Sequence, residues 1–320
     1  MRVGRLYIWQ TNQIDSAMNE TRKMRERGRT INPFLDWSFK YLFGREETKD
    51  LLIGFLNLLL MPKDPVTDIT YLNNERIPEH PDMRECVFDV ICKDSKGERF
   101  LVEMQHVEER NIRNRLLYYA CRLIDEMGRR GDDWDYDIDR VYAICLMDFT
   151  YEKDPILRSD YLLSDVQNGR VFSDRLNVIT LQIPCIRANS FDECKESYEK
   201  LLFLLVAMRD GKKTFEEIVA DIEAETSSPE VKAMLQRVAE TADKASLSPG
   251  DRVAYDYALK RYRDYHSGLK TAHEKGYDLG LAKGREEQRQ SIARAMKANG
   301  IAPETIAQCT GLSPEEVECL

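Results

Sequence analysis

CVFDVICKDSKGERFLVEMQ, residues Cys86 to Gln105, reads as two short apolar strands joined by the turn Ser95-Lys96-Gly97. Asp89 interrupts the first strand, and Glu103 and Gln105 close the second. An apolar strand tolerates an acid only when it is paired, solvated or bound to a metal, because an unpaired buried charge is expensive. A three-residue hairpin loop with Gly97 in the left-handed region combines a type I turn with a bulge. That loop sets Asp94 opposite Glu98 and, counting back, Asp89 opposite Glu103. Both carboxylates then share one face, with Cβ atoms about 4.5–5.5 Å apart. Two carboxylates gathered in this way can hold a divalent cation. Gln105 falls on the same face, roughly 7 Å further along the strand. The other face carries Phe88, Val90 and Cys92 against Phe100, Val102 and Met104. One face is expected to pack and the other to do chemistry. A two-residue loop would instead separate the carboxylates onto opposite faces.

After the hairpin comes Arg115-Leu116-Leu117-Tyr118-Tyr119. Before it stand Asn32-Pro33-Phe34-Leu35-Asp36, Phe39-Lys40, Phe43-Gly44 and Leu52-Ile53-Gly54-Phe55-Leu56-Asn57. In this order, together with Asp89 and Glu103-Met104-Gln105, they resemble the PD-(D/E)XK nuclease superfamily. Within it they resemble the branch of recombination-promoting nucleases and nuclease-family transposases, from about Asn32 to the C-terminus. The resemblance implies an α/β fold: a restriction-endonuclease-like mixed sheet flanked by helices, followed by an α-helical C-terminal region. It implies Mg²⁺-dependent hydrolysis of DNA phosphodiesters, with Mn²⁺ as an alternative ion. Asp89 and Glu103 would hold the metal, assisted by the backbone oxygen of Met104. Gln105 would orient the attacking water or the scissile phosphate, and Arg115 and Lys40 would contact the substrate. Asp36 has two readings, a third acid near the metal or a surface ion pair with Lys40 four residues on. Gln105 stands where the superfamily usually has lysine, so the pattern assigns no general base. Two other classes compete: a catalytically inactive DNA-binding or regulatory protein that keeps the fold, and a self-associating interaction module.

Composition sets limits on these readings. The chain has 320 residues, enough for a sizeable core and more than one domain. A net charge of −9 and a pI near 5.2 exclude a broadly basic nucleic-acid coat, so DNA contact needs a local patch. Eight cysteines without a C-x-x-C pair read as reduced thiols of a cytoplasmic protein. Cysteines and histidines form no zinc-ligand pairs. No apolar run approaches the ~20 residues of a membrane span, and no targeting segment is expected.

Along the chain, residues 1–31 read as a disordered extension with a basic cluster from Arg22 to Arg29, or as a basic arm on DNA. Met18 and Met24 are candidate native starts. The nuclease-like domain is expected over 32–210, a helical region over 211–285 and a small helical segment over 286–320. Helical spacing from Pro33 to Leu60 is divided at Gly44 and stopped by Pro62. A long, arginine-rich helix is expected from Val107 to Arg130, then strands at Val141–Met147 and Asn177–Ile183, then a helix from Phe191 to Met208. Strand, helix, strand implies a parallel crossover. The sheet strands and their covering helix all precede Asp210, so the core is expected to end there. The acidic turn from Asp132 to Asp139 lacks the glycine and terminal glutamate of a calcium loop. Gly276, Gly280 and Gly284 recur every fourth residue, and each helical glycine costs about 1 kcal/mol relative to alanine. That segment is therefore a marginal helix or one that packs closely on a partner, and a homo-oligomer through the C-terminal helices is expected. Residues Ile306 to Leu320 have the outline of a helix-turn-helix, with Ser313, Pro314 and Glu316 as a capping box. Glu315, Glu316 and Glu318 on its second helix would repel phosphates, which favours a protein contact over DNA reading.

Overall fold

The computed structural model describes residues 29–73, 75–76, 86–87, 89–108, 111–128, 135–226 and 228–320. Phe88, the loop with Pro78, His80 and Pro81, Arg110, Arg129, Arg130 and Asp132 lie outside the described residues, as do residues 1–28.

Two helices open the fold, α1 Asp36–Phe43 and α2 Lys49–Leu60, divided at Gly44 as the spacing requires. Their apolar stripes are buried: Phe39, Leu42 and Phe43 on α1, and Leu51, Leu52, Phe55, Leu56 and Leu59 on α2. Met61 takes a left-handed conformation after α2, and Pro62 follows. Short strands β1 Ile69–Tyr71, β2 Glu75–Arg76 and β3 Cys86–Val87 precede β4 Val90–Asp94 and β5 Arg99–Gln105. Val90 faces Val102 and Cys92 faces Phe100, while the Asp94 N–H donates to the Glu98 carbonyl at 3.0 Å. This is the register of the three-residue loop. Gly97 has φ 91°, and a Cβ there would lie 2.7 Å from Asp139 Oδ2, so both conformation and space require glycine. Asp94 accepts the N–H groups of Lys96 and Glu98 at 2.9 Å each and fixes the turn. The first strand differs from expectation because it is broken. β3 pairs with β2 and β4 pairs with β1, and Asp89 sits in the bend between β3 and β4.

α3 Ile112–Asp125 leads to β6 Val141–Met147, which runs parallel to β5 and to β8 Val171–Gln182. β7 Arg158–Ser164 pairs antiparallel with β8, completing a six-stranded sheet in the order β1-β4-β5-β6-β8-β7. α3 is shorter than the expected Val107–Arg130, and β8 begins before the expected Asn177. β7 went unread because it is an exposed edge strand with no clean alternation.

The mixed sheet overturns the idea of one packing face and one chemical face. β5 is an interior strand with a parallel neighbour, and such strands are buried on both sides. Ile91 and Leu101, on the acid face, pack with Ile112, Leu116, Ala120 and Leu123 of α3. Val90, Cys92, Phe100, Val102 and Met104 on the opposite face are buried as well. On that side Arg158 donates to the Leu59 carbonyl of α2 at 2.8 Å and lies over Tyr198 of α4 Ser197–Asp210. Glu103 and Gln105 stand at the C-terminal end of β5.

Beyond Asp210 come α5 Phe215–Ala224, α6 Pro229–Thr241, α7 Pro249–Ala298, α8 Pro303–Thr310 and α9 Pro314–Glu318. One compact unit continues past Asp210 to Ala258, and a second runs from Leu259 to Leu320. α6 packs on α2 and α4, with Val231, Leu235, Val238 and Ala239 buried. Gly54 of α2 permits this approach, since a Cβ there would lie 2.5 Å from Met234 Sδ. Arg29 to Ile31, read from sequence as part of the extension, also join this unit. Thr30 forms a β-bridge with Asp243, Arg29 pairs with Asp243 at 2.6 Å, and Ile31 is fully buried. In the second unit, Ala293 of α7, Ile306 of α8 and Val317 of α9 share a small core with Leu312. The Ser313 N–H donates to Glu316 Oε2 at 2.7 Å and Ser313 Oγ accepts the Glu316 N–H at 3.2 Å, the capping box its sequence indicates. The described cysteines are free thiols. Among the described residues no helix is long and apolar enough to cross a membrane.

Candidate active site

Where β4 breaks, side chains take over from the ladder. The Met104 N–H donates to Asp89 Oδ2 at 2.8 Å, and the Asp89 N–H returns to Glu103 Oε1 at 3.4 Å. Each acid thus holds a backbone group at the other's strand, and the β4–β5 register is carried past the last ladder pair. Glu103 is 4% exposed, and the Asp89 side chain is 15% exposed. Gln105 Nε2 donates to Glu103 Oε2 at 3.3 Å, so Gln105 shares the acid face as its spacing requires. Cys145 lies beside Glu103 in the β5–β6 register and is fully buried. It seals the inner side of the cluster.

α1 contributes the next two groups. Lys40 Nζ lies 2.7 Å from Asp36 Oδ1 and 3.6 Å from Asp89 Oδ1. Asp36 forms the ion pair with Lys40, and its carboxyl also lies against that of Asp89, so it stays within the acid cluster. From α3, Arg115 comes close enough for its charge to draw the Glu103 carboxyl down. The structure therefore brings together every residue singled out from the sequence: Asp36, Lys40, Asp89, Glu103, Met104, Gln105 and Arg115. The contact of Lys40 with Asp89 was not foreseen, because the i,i+4 spacing points only to Asp36.

The electrostatics are uneven. Burial pushes the Asp89 carboxyl up to about 6, with the Asp36 charge adding to it against the Met104 N–H and Lys40. Burial also pushes Glu103 up, to about 8, with Asp89 adding and Arg115 and Lys40 opposing. Partial desolvation also raises Asp36, but the Lys40 ammonium outweighs it and holds that carboxyl below its usual range. Desolvation draws Lys40 down, yet Asp36 and Asp89 together hold it above its ordinary value. Two neighbouring acids with raised pKa values are short of positive charge, a deficit that a divalent cation fills. Among the described residues no group of three or more His, Cys, Asp and Glu side chains could hold a metal ion. The donor set does fit Mg²⁺, which is usually bound through one or two carboxylates with water and substrate phosphate completing its shell.

The raised carboxyls set the sign of a pH effect. Unfolded, these acids titrate near about 4; folded, they hold protons up to about 6 and about 8. The folded state therefore binds more protons in this window, so the pair lowers metal-free stability progressively as pH rises from about 4 to about 8. Urea unfolding of wild type and Asp89→Asn across that range checks this. The wild type should show the steeper decline, and superimposable pH profiles would contradict it.

The sequence model for the Rpn/YhgA-like nuclease family C-terminal HTH domain matches residues 286–320. No curated protein and no solved structure matches the chain. The sequence model for the PD-(D/E)XK nuclease family transposase matches residues 33–272, a span that includes all seven residues of the cluster. With three quarters of its length under that match and an acid pair on a broken hairpin of the expected register, the chain belongs to the PD-(D/E)XK nuclease family transposases.

Proposed function

We propose that the protein is a divalent-cation-dependent DNA endonuclease, with Mg²⁺ as the ion and Mn²⁺ as a substitute. The observation that carries this reading is the reciprocal bonding of Asp89 and Glu103 at the C-terminal end of β5. Asp89 and Glu103 would hold the ion, with the Met104 carbonyl as a third protein oxygen. The ion, when bound, supplies charge neutralisation and an acidified water. Lys40 and Arg115 flank the acids and would bind phosphate oxygens, Arg115 through its planar fork. Gln105 is neutral and barely basic, so it cannot take a proton, but its amide can accept from a water and donate to a phosphate. Its role is to position.

DNA contact is assigned to this site. α9 carries Glu315, Glu316 and Glu318, which disfavours phosphate contact by that helix. We assign the HTH unit to protein contact, and we read α7 as the self-association element. The space around its Gly268, Gly276, Gly280 and Gly284 is open, and Tyr265, Leu269 and Leu279 are exposed. We read a recombination or mobile-element setting as its context.

The test is a plasmid-nicking panel with Mg²⁺, Mn²⁺ and a chelator. Nicking should appear with either ion and vanish with the chelator; nicking that persists in chelator would overturn the cation requirement. In the same assay, Gln105→Ala should turn over roughly 10²-fold more slowly, the range seen for a lost transition-state hydrogen bond. Gln105→Lys should stay partly active, since its cation still reaches a phosphate. Turnover by Gln105→Ala equal to the parent would make Gln105 structural.

A further inference from the structure

Lys40 stands between two acids of different character. Asp36 is one helical turn away, two-thirds exposed, with its carboxylate 2.7 Å from the ammonium. Asp89 is at 3.6 Å and largely buried, in the bonded pair with Glu103. The Lys40 charge also reaches Glu103, where it helps to hold the carboxyl down against burial. The ammonium is itself part-exposed, on a flexible four-carbon stem with three rotatable donors.

A divalent ion held by Asp89 and Glu103 would bring a double positive charge against their oxygens. A monocation 3.6 Å from Asp89 Oδ1 would then be repelled by a double positive charge at short range. Asp36 already holds the ammonium at 2.7 Å, so the contact with Asp89 can be lost by a small rotation of the lysine stem. We propose that Lys40 is a built-in placeholder cation, which steadies the Asp89–Glu103 pair before the metal arrives and, when it binds, gives up its contact with Asp89 while keeping Asp36 and taking the incoming phosphate. This rests on the reading of Asp89 and Glu103 as the cation site. Lys40 is thereby a positioning residue that competes with the metal, and its release couples metal binding to substrate capture.

The competition has a sign that a purely supportive lysine would not give. Mn²⁺ alone is titrated calorimetrically into chelator-stripped wild type, Lys40→Met and Lys40→Gln, with no DNA present. Both variants should bind Mn²⁺ about tenfold more tightly, the order expected on removing a nearby monocation. Their metal-free melting temperatures should fall below wild type, and the difference should shrink at saturating Mn²⁺. The wild-type chain supplies a measurement that needs no substitution. Acylation of Lys40, followed by peptide mass mapping, should increase when Mn²⁺ is added. Equal or weaker Mn²⁺ binding by the variants, or acylation unchanged by Mn²⁺, would overturn the placeholder role and leave the cation site standing. An absence of Mn²⁺ binding by all three proteins would overturn the site and the placeholder together.

Discussion

Glu103→Gln should abolish phosphodiester cleavage and at the same time make the metal-free protein more stable at high pH. The two effects come from one property of the site. Glu103 is 4% exposed and faces Asp89, whose N–H it accepts. Burial and the Asp89 charge raise its pKa to about 8. The ionised pair is therefore costly to fold unless a cation is bound. The amide keeps the shape of the carboxyl and its capacity to accept the Asp89 N–H, but cannot carry charge. The stability difference should be near zero at about pH 5, where the wild-type acid is protonated. It should reach on the order of 2 kcal/mol in favour of the variant at about pH 9. Added Mg²⁺ should stabilise wild type and have little effect on the variant. Urea unfolding at several pH values, with and without Mg²⁺, reads all of this. A variant destabilised across the whole range would show that Glu103 is a structural acid, satisfied by its partners as it stands.

Ending the chain at Asp210 should leave an insoluble or non-cooperative protein, while a chain ending at Ala258 should stay folded. Among the described residues the strands precede Asp210 and α4 ends there, but the surface of α2 and α4 is covered by α6. Val231, Leu235 and Val238 are buried there, and each such side chain contributes about 1.5–3 kcal/mol. Ile218 and Ile222 of α5 are buried too. The combined loss approaches the whole of a typical domain's 5–15 kcal/mol, by order of magnitude. The chain to Ala258 also keeps Tyr255, which accepts the Asn32 N–H and packs edge-on to Trp37. Solubility on expression and the cooperativity of urea unfolding compare the two. A soluble, cooperatively folding chain ending at Asp210 would show that α5 and α6 are accessory to the first unit.

The hairpin was legible because its register follows from a loop length and one glycine. Gly97 and the Asp94–Glu98 opposition determine by counting where Asp89 meets Glu103. β6 was legible as an unbroken apolar run, since a strand buried on both faces has no polar residue to interrupt it. β7 was not legible, because an exposed edge strand is set by its backbone pairing with β8 and by contacts distant in sequence, such as Arg158 with Leu59 and Tyr198. The break at Asp89 was half legible. An acid in an apolar run announces an interruption, but only the pairing of β3 with β2 shows that the chain changes sheets there. The extent of the first unit was hidden for another reason. The residues after Asp210 are charged on their exposed faces, and composition averages over a helix, whereas burial depends on one stripe of it. Lys40 shows the same limit at the site. Spacing along α1 predicts Asp36 as its partner, while Asp89, 49 positions away, is brought near only by the packed fold.

On the proposed function, Asp89 and Glu103 form one cation-dependent catalytic site. Its most direct measurement is single-turnover cleavage of supercoiled plasmid by wild type, Asp89→Asn and Glu103→Gln, each chelator-stripped and returned to Mg²⁺. Wild type should cleave only after Mg²⁺ is restored, and neither variant should cleave at any Mg²⁺ concentration. Cleavage by both variants at the wild-type rate would contradict it.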